Sequence, residues 1–172
     1  RQIIGLGLAE ALLALFPAED ADTRAAIADR YRHYYFDPTT PPTLLFEGVQ
    51  EGLETLRRAG YRLAIATGKS RRGLQQVLAQ TPIADYFVAS RCADESRSKP
   101  DPLMLHQLLQ ETRTAPERAL MIGDTTFDLE MARNAHMEGL GVTYGAHARE
   151  QLQELATLGC AASFAEIPRW LT

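Results

Sequence analysis

Three short segments of the sequence carry residue types suited to phosphate chemistry. Thr67-Gly68-Lys69-Ser70 joins a hydroxyl and a glycine to the entrance of a helix. A glycine there permits close backbone approach, the free amides of the helix N-terminus point outward, and the hydroxyl donates a hydrogen bond, so the segment forms an anion cradle. In Ser98-Lys99-Pro100-Asp101-Pro102, two prolines keep a lysine in a stiff, extended stretch just before a helix. A lysine fixed in this way presents a point charge to a phosphate. Gly123-Asp124-Thr125-Thr126-Phe127-Asp128 sets two carboxylates four positions apart at a strand-to-helix turn. That arrangement suits Mg²⁺, which takes oxygen ligands from one or two carboxylates, from substrate and from water.

Each segment has an ordinary structural explanation when taken alone. Hydroxyls and aspartates commonly cap helices, and most lysines are solvated. The distinguishing feature is their joint placement. From Thr67 to Lys99 is 32 positions, and from Lys99 to Asp124 is 25, each at the exit of a predicted strand. A hydroxyl donor, a cation and a metal carboxylate then meet in one crevice, which is the equipment of phosphate-ester chemistry.

The elements that must position these groups follow from hydrophobic spacing. Leu8, Leu12, Leu15 and Phe16 recur at helical intervals until Pro17 ends the helix. A second helix, capped by Asp22 or Thr23, continues through Ala26, Ile27, Arg30, Tyr31 and Tyr34. Pro38, Pro41 and Pro42 mark residues 37–43 as a linker or hinge. Beyond it, strands over 62–66, 86–89, 119–122 and 140–142, with a short one near Ala161, alternate with helices over 49–59, 72–79, 102–111, 127–135 and 149–155. A final helical turn covers 167–171. Such alternation predicts an α/β fold, a Rossmann-like parallel sheet covered on both faces, with ligands at the carboxyl ends of its strands.

Composition narrows the function classes. The chain has 172 residues, 45% apolar and 23% charged, with a net charge of −4. It is too apolar to be disordered, and no basic field favours nucleic acid. No apolar run approaches the roughly 20 residues of a membrane helix. Cys92 and Cys160 have no CxxC or histidine company, so two reduced thiols and a cytoplasmic protein are expected. No signal peptide is visible. His33, His106, His136 and His147 are scattered and read as surface or partly buried. The aromatic stripe Tyr31, Tyr34 and Tyr35 reads first as packing, and as pocket lining second. Ile4-Gly5-Leu6-Gly7 reads as a capping turn, with close approach to a ligand as the alternative. Trp170 is expected to anchor the C-terminal helix. Nucleotide binding of the generic Rossmann kind is disfavoured, since no GxGxxG segment follows a strand.

The segments Ile-Ala-Thr67-Gly-Lys-Ser, Ser-Lys99-Pro-Asp-Pro and Met-Ile-Gly-Asp124-Thr-Thr-Phe-Asp128 resemble those of the haloacid dehalogenase-like hydrolases. The likeness is greatest to their phosphoglycolate-phosphatase-like branch and covers nearly the whole chain. Residues 1–43 resemble part of a helical cap and its hinge, and 44–172 the α/β core. The resemblance implies that Thr67, with Gly68, binds the transferring phosphoryl group and that Lys99 neutralises it. It implies further that Asp124 ligates Mg²⁺, and that Asp128 supports the metal or the lysine. The catalytic set is then Thr67, Lys99 and Asp124, acting on a small phosphorylated metabolite through an aspartyl-phosphate. Nothing in the sequence demands a dimer.

One motif of that family is absent. No Asp-x-Asp-Gly-Thr segment occurs, and the sequence begins at Arg1. That segment would carry the nucleophile, the general acid-base and the central strand between those ending at Thr67 and Gly123. Its absence predicts two unpaired strand edges within the sheet, a piece of a longer protein, and no turnover by these 172 residues alone. The leading reading is a Mg²⁺-dependent phosphatase in the parent protein. A sugar-phosphate mutase or dehalogenase of the same superfamily, or a non-catalytic phosphate-binding module, stands as the alternative.

Overall fold

A computed structural model describes residues 2–171. Two helices come first, α1 (Leu8–Leu15) and α2 (Ala21–Tyr35), followed by an irregular stretch over 37–46. Then come α3 (Val49–Arg58), β1 (Leu63–Thr67), α4 (Arg71–Gln80), β2 (Phe87–Cys92) and α5 (Leu103–Thr112). The chain continues through β3 (Leu120–Gly123), α6 (Thr126–Asn134), β4 (Glu138–Val142), α7 (Arg149–Gln153) and β5 (Gly159–Ala161). It finishes in a 3₁₀ turn over Phe164–Trp170.

All strand pairs are parallel, as the alternating pattern requires, but the sheet is divided. Among the described residues β1 pairs with β2 alone, and β3, β4 and β5 form a separate sheet in that order. The edges of β1 and β3 away from these partners carry no strand among the described residues. Unpaired edges on these two strands are what the sequence predicts.

Two apolar layers cover the halves. On one face Met104, Leu105 and Leu108 of α5 pack with Ala89 and Met121, with Met131 and Ala132 of α6, and with Ala135 just after it. On the other, Leu56 of α3 packs with Leu140, Val142, Ala161 and Ile167. Gly52 lets α3 sit directly on the Phe164 ring, where a methyl group would overlap it. Ile167 is fully buried at the C-terminus, whereas Trp170 lies over Gly159 and stays 38% exposed.

The N-terminal helices are less buried than their apolar spacing implied. Leu12 is in the core, but Leu15 and Phe16 are exposed because α1 and α2 meet the rest of the chain over a narrow front. The α2 cap is Asp20, not Asp22 or Thr23, because its carboxylate accepts the Thr23 amide at 2.7 Å. Thr23 thus occupies the third helical position and is the donor of the cap. No helix of the described residues is long and apolar enough to cross a membrane.

Cys92, at the end of β2, is fully buried and unpaired. Burial pushes its thiol up from 9.0 to about 11, against a smaller opposing pull from Arg71. The folded state therefore keeps a proton that the unfolded chain releases first. The stability that this gives is complete below pH 9.0 and declines as pH rises toward about 11. Urea midpoints measured across that interval should fall, and the fall should be shallower in Cys92→Ala; in the folded protein iodoacetamide should leave Cys92 unmodified below the lower limit.

Candidate active site

The exits of β1 and β3 face one cleft of about 710 Å³, within the range of small-molecule sites. Its walls include Ile3 to Leu6 of the N-terminal segment, Tyr31 and Tyr35 of α2, and Thr67, Lys99 and Asp124. The three sequence segments thus do converge.

Lys99 and Asp128 form its foundation. Lys99 is 6% exposed and Asp128 is 3% exposed. The Lys99 ammonium donates to Asp128 Oδ1 at 2.5 Å and to the Ala66 carbonyl of β1 at 3.0 Å. Asp128 Oδ2 accepts from the Thr125 amide at 3.2 Å and the Thr125 hydroxyl at 2.7 Å. The Asp128 amide in turn donates to Thr125 Oγ1 at 3.3 Å, closing a capping box on α6. The buried carboxylate is therefore committed to internal donors. Its hydrogen bonds go to Lys99 on one oxygen and to Thr125 on the other.

The loop before Lys99 is fixed from α4. The Arg71 guanidinium donates to both oxygens of Glu95, at 2.7 and 2.6 Å, and to Ser90 Oγ at 2.7 Å. That guanidinium is the main reason the Glu95 carboxyl lies below its usual range. The Arg71 amide donates to Asp94 Oδ1 at 2.9 Å. The Lys99–Pro100 peptide is cis.

Asp124 is held by the loop after β4. The Ala146 amide donates to Asp124 Oδ2 at 2.9 Å, and the His147 amide to the Asp124 carbonyl at 3.1 Å. The other carboxylate oxygen has no hydrogen-bond partner among the described residues. His147 is 7% exposed, more buried than its isolated place in the sequence implied. Its Nδ1 accepts the Thr126 amide at 3.1 Å, so it closes the first turn of α6 behind Asp124. Tyr144, in the same loop, is pushed up to about 12, first by burial and then by the Asp124 charge.

Among the described residues no three histidine, cysteine or acidic side chains gather at one point. Asp94, Asp124 and Asp128 all line the cleft; Asp128 has both oxygens hydrogen-bonded, and Asp124, at the exit of β3, keeps one carboxylate oxygen without a hydrogen-bond partner among the described residues. This fits Mg²⁺ of the kind that keeps several waters and takes its remaining ligands from a substrate phosphate.

Thr67 Oγ1 accepts the Lys69 amide at 3.2 Å, and its hydroxyl proton remains for a ligand. Gly68 lies against the carbonyls of Gly5 and Leu6, each 2.7 Å from where a Cβ would stand, so only glycine admits this crossing. Gly5 itself has φ +107 and faces Thr125. The segment first read as a capping turn therefore lies along the cleft. The paired glycines were its one signal in the sequence.

Replacing Lys99 by Met leaves Asp128 buried without its cation. The expected loss is about 3–5 kcal/mol of unfolding free energy in urea titration. Asp128→Asn added to Lys99→Met should recover part of it, because the charge is gone and the Thr125 bonds can persist. An unchanged midpoint in Lys99→Met would show that the pair does not hold the fold.

Comparison with known proteins agrees with this geometry. The model of the family described as haloacid dehalogenase-like hydrolase matches residues 1–142. The chain is 37% identical over 175 residues to the probable phosphatase IndB of Dickeya dadantii, covering 97% of this chain and 74% of that protein. It is 32% identical over 151 residues to a phosphoglycolate phosphatase of Vibrio vulnificus, covering 87% of this chain and 66% of that one. The fold superposes on a haloacid dehalogenase-like family hydrolase from Streptococcus pneumoniae with a TM-score of 0.82 at 26% identity, covering 96% of this chain and 76% of that one. A hydrolase from Pseudomonas syringae shares the fold at a TM-score of 0.82 and 19% identity, covering 99% of this chain and 79% of that one. A family model spanning most of the sequence, a parallel α/β fold and a lysine–aspartate pair at the strand exits all agree, and the chain belongs to the haloacid dehalogenase-like hydrolases.

Proposed function

We propose that this chain is the greater part of a Mg²⁺-dependent phosphatase acting on a small phosphomonoester. The observation that carries the reading is the buried Lys99–Asp128 pair at the cleft base, beside Thr67 and Asp124. Relatives named as phosphatases support it. Residues 1–43 serve as part of a helical cap with its hinge, and 44–172 as the core without its first strand.

In this reading Thr67 donates its hydroxyl to a phosphoryl oxygen, and the backbone at Gly68 approaches the same group. Lys99, kept charged and oriented by Asp128, balances the negative charge that gathers on the phosphoryl oxygens. Asp124 holds Mg²⁺, which when bound supplies further charge neutralisation at the phosphate. Tyr31, Tyr35 and the 3–6 segment narrow the mouth and exclude water from the reacting group.

The nucleophile comes from elsewhere. Asp128 is committed to Lys99 and Thr125, and Asp124 to the metal. A strand bearing Asp-x-Asp-Gly-Thr, inserted between β1 and β3, would pair both free edges and bring an aspartate to the cleft. That aspartate attacks phosphorus, the alcohol leaves with a proton, and water then hydrolyses the aspartyl-phosphate.

The test compares these 172 residues with the same chain extended by such a segment, on a panel of phosphomonoesters with Mg²⁺. Turnover is expected in the extended protein alone, and it should be lost when the first aspartate of the segment becomes Asn. Turnover by the 172 residues alone would overturn the assignment of the nucleophile. Phosphate binding without turnover in either would favour a binding module.

A further inference from the structure

The chain contains 18 basic residues, but only Lys69 and Lys99 are lysines, against sixteen arginines. Both lysines line the one cleft. Lys99 is neutralised by Asp128. Lys69 is not: among the described residues its ammonium has one hydrogen-bond partner, Tyr35 Oη at 2.8 Å, and no carboxylate partner. An ammonium has three donors, so two remain for a ligand.

The position of this charge is well determined. The Lys69 amide donates to Thr67 Oγ1 at 3.2 Å, and its carbonyl accepts the Ala93 amide at 3.0 Å. The side chain crosses from the core to the end of α2, where the Tyr35 hydroxyl and ring both hold it. Tyr35 stacks on Tyr31 with ring centroids 5.7 Å apart and rests on α4 near Gly73. Next to it, the Arg72 guanidinium lies 4.0 Å from the centre of the Phe36 ring. Lys69 thus stands between the phosphate end of the cleft, two residues away at Thr67, and its aromatic mouth.

We propose that Lys69 is a specificity residue that selects substrates carrying a second anionic group on the alcohol side of the phosphoester, with Tyr35 holding its ammonium toward that group. The proposal rests on the phosphomonoester reading above and adds a requirement to it. A carboxylate and a second phosphate share the chemistry needed, an oxyanion within reach of two free ammonium donors.

The test is calorimetric titration of the protein with three non-hydrolysable probes, so it needs no turnover. Ethylphosphonate carries no second anion, phosphonoacetate adds a carboxylate, and methylenediphosphonate adds a second phosphonate. The unaltered protein should bind one or both dianionic-ended probes at least about tenfold tighter than ethylphosphonate, and the better of the two identifies the group. Lys69→Met should abolish that preference while changing the ethylphosphonate Kd by no more than about twofold. Tyr35→Phe should reduce the preference in the same direction by a smaller factor. Should Lys69→Met fail to fold, Lys69→Gln provides the same comparison with similar reach and no charge. Equal binding of all three probes overturns this proposal and leaves the phosphomonoester reading standing. So does a preference that survives Lys69→Met, or a variant that weakens all three probes alike. Failure of the unaltered protein to bind any of them overturns both readings.

Discussion

The organisation of this protein depends on where the Lys99 ammonium can find partners. It reaches the Ala66 carbonyl on one half of the sheet and the Asp128 carboxylate beside the other. No strand among the described residues joins the halves, so this cation is a direct, buried polar link across the gap, while α5 and α3 cover it with apolar side chains. A buried ammonium is costly unless paired and hydrogen-bonded, and that cost fixes its geometry. Thr125 completes the arrangement by saturating the far oxygen of Asp128. The groups that a phosphate would meet are thus held by the same contacts that keep the two half-sheets in register.

Much of this was legible in the sequence because the chemistry sits at strand exits. Short apolar runs locate the site residues: Thr67-Gly68 directly follows one, Gly123-Asp124 directly follows another, and Lys99 stands between Ser98 and Pro100 in the loop that a third run enters. The division of the sheet was legible as well, since no segment of these residues reads as a strand that could pair with both β1 and β3. Side-chain direction was harder to read. Asp124 and Asp128 are equivalent in spacing, yet one keeps a carboxylate oxygen without a partner among the described residues and the other commits both, to Lys99 and to a capping box with Thr125. Only the path of α6 relative to Lys99 decides between them.

The poorly read features depend on contacts distant in sequence. His147 is an isolated histidine by its neighbours, and its burial follows from the loop after β4 folding over the start of α6. Gly5 and Gly68 are far apart in the chain, and their closeness becomes visible only when the N-terminal segment lies along the cleft. Tyr35 reads as part of an aromatic stripe on a poorly buried helix, and its bond to Lys69 depends on how α2 ends over α4. In each case local pattern gave the element correctly and left its tertiary neighbour open.

The divided sheet also bears on how the molecule comes together in time. β1 and β2 are consecutive strands joined through α4, and β3, β4 and β5 are consecutive strands joined through α6 and α7. Each half therefore forms from its own contiguous stretch of chain, without waiting for a distant strand to arrive. Contacts between near neighbours in sequence close small loops and form fast, whereas those that bridge long separations are slow. Strand pairing inside each half thus spans short separations, whereas both apolar layers draw residues from the two halves, so their completion and the burial of Lys99 belong to the docking of one half on the other.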